Sequence, residues 1–136
     1  MIRLGEGLVR LDADLKALHL RWALIGGMAV GDDPAKIEVD LFFASSGVEQ
    51  EIVDEAELQA ILPGIHLPVA TTPHLLALKV LAGRDKDRMD VRSLLARASP
   101  REIQQARETM TLIQERGFHR GKDLLADFAK LMEPEA

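Results

Sequence analysis

The residues able to handle a phosphate or a metal ion are few, and their surroundings are unusual. Asp40 stands in an otherwise apolar stretch, Val39-Asp40-Leu41-Phe42-Phe43. A charge there is costly unless it is paired or binds a cation, and a carboxylate at a sheet rim is a natural Mg²⁺ ligand. Glu38 falls on the same face, because strand side chains alternate with period two. On residue types alone the simpler reading is a solvated edge, with Val39 and Leu41 facing the core. Gly26-Gly27 ends the apolar run Trp22-Ala23-Leu24-Ile25. Two glycines let the backbone approach a ligand closely, and a helix starting there would aim its free N–H groups at an anion. The pair fits a tight turn equally well. Lys79 sits in the apolar helical run His74-Leu75-Leu76-Ala77-Leu78-Lys79-Val80-Leu81, where it would either snorkel to water or bind a phosphate. Asp87 and Asp90 lie three apart on one helical face, although Lys86 and Asp90 also have the spacing of a simple ion pair.

Other chemistries find no support. His19, His66, His74 and His119 share no metal-ligand spacing, so no zinc site is expected. Ser45, Ser46, Ser93 and Ser99 lack a nucleophile-elbow context, and no P-loop is present.

The elements that must position these residues follow from periodicity and turn chemistry. Leu8, Leu11, Leu15 and Leu18 form one apolar stripe, which predicts a helix over about 5–19. Strands are expected at 22–25 and 37–43, with the turn cluster Gly31-Asp32-Asp33-Pro34 between them. A helix is expected over 48–58, then extended pieces at 60–62 and 65–69 around the Pro63-Gly64 turn. Thr72-Pro73 has the form of an N-cap followed by proline at N1, with the helix stopping near Gly83. The patch Arg84-Asp85-Lys86-Asp87-Arg88 opens a helix ending near Arg97. Ser99-Pro100-Arg101-Glu102 is a capping box for a helix that buries Ile103, Ala106, Met110 and Ile113, and a last helix covers about 122–132. This order predicts an α+β (α/β) class: a small mixed sheet packed by helices, with a C-terminal helical part.

The bulk properties agree with one folded domain. The chain has 136 residues, 47% hydrophobic and 29% charged, which is ordinary for a globular protein and too apolar for disorder. Aromatics are only 4%, so aliphatic residues must fill the core. The net charge of -5 argues against general coating of nucleic acid. There is no cysteine, which excludes disulfides and thiolate zinc sites. No apolar run approaches the roughly 20 residues a membrane span requires. Glu6, Asp12 and Asp14 break the pattern of a signal peptide. A cytoplasmic protein is expected, without membrane partners.

In combination the motifs resemble those of the DNA polymerase β-type nucleotidyltransferases. Residues 21–30, RWALIGGMAV, are similar to the strand and double-glycine turn of that superfamily, and residues 37–53, IEVDLFFASSGVEQEIV, to its later strand carrying the third metal-binding aspartate. Residues 65–95 resemble the following region of abortive-infection (AbiEii-type) toxins and related bacterial minimal nucleotidyltransferases, where a P-x-x-L-x-x-x-K helix precedes R-x-K-D-x-x-D. The segment Arg116-Gly117-Phe118-His119-Arg120-Gly121 is also similar to this group.

The resemblance implies a single domain over 1–136, with a core to about residue 82 and helices over about 86–133. It implies transfer of NMP from an NTP with Mg²⁺ to an RNA or protein acceptor. Gly26 and Gly27 would cradle the triphosphate, Asp40 with Glu38 would hold metal, Lys79 would meet the nucleotide or act in catalysis, and Asp90, with Asp87, would support the site. A toxin–antitoxin role, with an antitoxin partner or a homodimer, is the corresponding biology. The chain departs from the pattern in one respect. Val30 leads through a short turn directly into the strand of Asp40, so the family's D-x-D strand is missing, unless Glu38-x-Asp40 is itself a variant of it. The alternative function is therefore a catalytically degenerate relative serving as a binding or oligomerisation module.

Overall fold

A computed structural model describes Ala13, residues 46–62 and residues 64–134. These contain five helices and one two-stranded sheet: α1 (Glu49–Glu55), β1 (Glu57–Leu62), β2 (Ile65–Val69), α2 (Thr72–Ala82), α3 (Asp85–Leu95), α4 (Pro100–Glu115) and α5 (Leu124–Met132). The class is α+β and the described part is mostly helical. The expected strands around Gly26, Gly27, Glu38 and Asp40 lie outside the described residues. Among those described, no helix is long and apolar enough to cross a membrane. They fall into two compact units: residues 51–70, and residues 46–50 with 71–134.

The first unit contains an antiparallel hairpin. Glu57 pairs with Val69, Leu58 with Pro68, Gln59 with Leu67 and Ala60 with His66, and the register slips between Ala60 and Leu62. In β2, Leu67 and Val69 are buried and His66 is exposed, the alternation a half-buried strand requires. The helix expected over 48–58 stops at Glu55, and Glu57–Gln59 join β1 instead. Glu, Leu and Gln are good helix formers, but here pairing with β2 overrides local propensity.

In the second unit α2 is central. Every residue from Pro73 to Leu81 is buried, and α3, α4 and α5 all pack against this helix. A helix that is apolar all round must be enclosed, and α2 is apolar except at Thr72, His74 and Lys79. Its N-cap is Thr71, one residue before the expected Thr72, so Pro73 stands at the second helical position and not at the expected first. Gly83 ends the helix with φ 65°, donating its N–H to Lys79 O at 3.0 Å. Only glycine adopts this left-handed conformation readily. The ammonium of Lys122, from the loop before α5, donates to Leu81 O at 2.6 Å and Ala82 O at 3.3 Å. It satisfies carbonyls that the helix end leaves open and complements the helix dipole.

The remaining helix starts follow their sequence signals. Ser99 Oγ accepts from Glu102 N at 3.1 Å and Glu102 Oε1 accepts from Ser99 N at 3.0 Å, the expected capping box. Ala106, Met110 and Ile113 form the buried face of α4, with Ile103 at its margin. At α5, Asp123 Oδ1 accepts from Ala126 N at 3.1 Å, and Gln114 of α4 accepts from Leu124 N at 2.9 Å. At the start of α1, the Glu49 carboxylate accepts from Ser46 N at 2.7 Å, Ser46 Oγ at 3.0 Å and Gly47 N at 3.3 Å. Burial pushes the Glu49 carboxyl up, but these bonds to its ionised form outweigh burial and hold it below its ordinary value. Arg116 Nη1 donates to Gly47 O at 2.6 Å, tying this segment to the end of α4.

Candidate functional site

The sharp turn at Gly83 folds α3 back along α2, and this brings together three of the residues singled out by type. Lys79 Nζ lies 2.8 Å from Asp90 Oδ2 and 3.5 Å from Asp87 Oδ1. The lysine and Asp87 side chains are 8% and 1% exposed, and that of Asp90 is 18% exposed. Lys79 therefore does not snorkel to water. It stays inside because α3 supplies two carboxylates one helical turn apart, so a buried charge finds partners. Asp90 turns its carboxylate to Lys79 across the helix pair, not along its own helix to Lys86.

A fourth residue completes the cluster. Arg84, just ahead of α3, grips Asp87 in a fork: Nε donates to Oδ2 at 2.7 Å and Nη2 to Oδ1 at 3.2 Å. The Arg84 backbone N–H adds a third bond to Oδ2 at 3.1 Å, so Asp87 also caps the helix it belongs to. Burial pushes the Asp87 carboxyl up, yet the hydrogen bonds and charge of Arg84, with the charge of Lys79, outweigh it and hold the group below its ordinary range. In the sequence Arg84 stands out only as part of a charged patch. Its spacing of three from Asp87 at a helix start was the available signal.

The two aspartates are thus held differently. Asp87 is enclosed and takes three hydrogen bonds from one arginine. The Asp90 side chain is partly exposed, but the Oδ2 that approaches Lys79 is itself buried and meets no aligned hydrogen-bond donor. The attraction between Asp90 and Lys79 is Coulombic, without a directed N–H···O bond.

Gly26, Gly27, Glu38 and Asp40 lie outside the described residues, so the structure brings together Lys79, Asp87 and Asp90 only. Among the described residues no group of three or more His, Asp or Glu could hold a metal ion. No protein-family model matches the chain, and no curated protein matches it.

Proposed function

We propose that the chain is a nucleotidyltransferase-like domain that binds an NTP with Mg²⁺ and transfers NMP to an RNA or protein acceptor, with Lys79 as its nucleotide-facing cation. The observation that carries this reading is the lysine ammonium enclosed between Asp87 and Asp90. A buried ion cluster is poor economy for stability alone: apolar residues of the same volume often do as well or better. Charged groups buried beside specific partners cluster instead at functional sites. In this reading Gly26 and Gly27 approach the triphosphate, Asp40 with Glu38 holds Mg²⁺, Asp87 orients Lys79, and Asp90 lies beside the lysine at the site's edge. Mg²⁺ held there would supply charge neutralisation for the transferred phosphoryl group.

The test is Mg²⁺-dependent NTP binding followed by labelled NMP transfer, with Asp40→Ala and Lys79→Met as controls. Binding and transfer that both variants lose would support the assignment. A chain that binds no NTP at millimolar concentration would refute it.

A second reading, a catalytically degenerate relative retained as a binding or oligomerisation module, is favoured by one observation. Lys79 and Arg84 carry two positive charges against the two negative charges of Asp87 and Asp90, so the cluster as it stands offers a triphosphate no net attraction. A folded chain that neither binds NTP at millimolar concentration nor transfers NMP is the outcome that selects it.

A further inference from the structure

We propose that Asp90 is an internal competitor for the anion that Lys79 binds: its carboxylate occupies the ammonium in the resting protein and gives way when a polyphosphate enters. This rests on the nucleotide-binding reading of Lys79 and adds a regulatory contact to it.

Only one partner of Lys79 can let go. Asp87 cannot. Its side chain is 1% exposed, and its carboxylate is fixed by the Arg84 fork and by the first turn of α3. Freed from Lys79 it would still be enclosed, and a buried carboxylate that loses a cation is expensive. Asp90 differs in each respect. Its side chain is 18% exposed, it has no arginine partner among the described residues, and it contacts Lys79 without an aligned hydrogen bond. Rotated outward it recovers water, so its release costs far less than that of Asp87.

Lys79 gains from the exchange. An ammonium has three N–H donors, and phosphate oxygens accept charge-assisted hydrogen bonds from it at short range. Exchange of a poorly aligned carboxylate for a well-aligned phosphate oxygen improves the ammonium's bonding. Asp87 at 3.5 Å stays behind and keeps the lysine pointed at the junction of α2 and α3. The ligand class this selects is a polyanion of the phosphate type, large enough to supply the charge that leaves with Asp90.

Inorganic tripolyphosphate is the probe, titrated calorimetrically into the full chain without Mg²⁺. Asp90→Asn removes the competing charge and keeps the side chain's shape. The expected result is binding about tenfold tighter than wild type or better, the scale of one hydrogen bond to a charged group. Lys79→Met should abolish that gain in the double variant. Equal or weaker binding by a folded Asp90→Asn protein overturns the proposal, as does binding by neither protein. A measurement on the wild type covers the case in which the variant does not fold. With ¹³C-carboxyl-labelled aspartate, tripolyphosphate should move the Asp90 signal and leave Asp87 in place, and a motionless Asp90 signal in the bound state is the contrary result. Wild-type NMP transfer with no gain in Asp90→Asn would sink the competitor and leave the transferase reading. A gain without transfer in any variant would do the opposite.

Discussion

Replacing Lys79 by methionine tests whether the ammonium is truly enclosed by the helix pair. Methionine keeps most of the unbranched stem and its packing in α2, so the change removes little but charge. In the folded protein it leaves two carboxylates, Asp87 and Asp90, against the single cation Arg84. Breaking a buried ion pair by deleting one partner costs about 3–5 kcal/mol, because the other charge stays uncompensated. The geometry places this case at the lower end. Asp87 keeps its three bonds from Arg84, and Asp90 relaxes toward water. The expected loss is therefore about 3 kcal/mol. In urea, with a slope of about 1.5 kcal/mol per molar for a chain of this size, the midpoint should fall by about 2 M at unchanged slope. Adding Asp90→Leu to Lys79→Met removes the stranded charge and should restore part of the loss, a non-additivity that a double-mutant cycle reads directly. A loss below about 1 kcal/mol would place the ammonium in the range of a solvent-exposed ion pair and refute the enclosed cluster.

Three further outcomes follow from the same packing. A carboxyl held below its ordinary pKa in the folded state stabilises fully above its unfolded value and stops doing so as pH falls through the folded one. Asp87 and Glu49 are both held low, so wild-type stability should decline from about pH 5 downward, and Asp87→Asn should flatten part of that decline in urea titrations at stepped pH. Gly83→Ala should cost about 1–2 kcal/mol: alanine is strained at φ 65°, and its Cβ would come within 2.9 Å of Lys122 Nζ, displacing the ammonium from the end of α2. Thermal unfolding at fixed pH measures it, and a wild-type-like midpoint would show that this corner is not constrained. Ser99→Ala should cost about 1 kcal/mol through the lost cap of α4, checked by the same melt, with Ser99→Asp expected to recover most of it.

Features whose causes lie within a few residues were legible in the sequence. The capping box Ser99–Glu102, the stop at Gly83, proline in the first turn of α2 and the apolar face Ala106-Met110-Ile113 each depend on one turn of chain, and caps and periodicity are local physics. The N-cap of α2 is Thr71, not Thr72: Thr71 is the extended residue that precedes the helix, at φ -69° and ψ 159°, and its side chain makes no capping hydrogen bond. The helix expected to reach residue 58 failed for the opposite reason: the competitor of Glu57–Gln59 was a strand beginning at Ile65, and pairing of that kind leaves no mark on local propensity.

The candidate site divides along the same line. Residue types and spacing alone determined that Lys79 was out of place in an apolar helix and that Asp87 and Asp90 shared a face, because the 3.6-residue period decides which side chains are neighbours on one helix. Only the tertiary structure decided that these two observations concern one cluster. The turn at Gly83 lays α3 against α2, Arg84 takes Asp87, and Asp90 is left as the partner that water can reach. A helical period is silent on which helix lies across from it, and the ionic choice between water and a facing carboxylate is settled by burial, which exists only once the helices have packed.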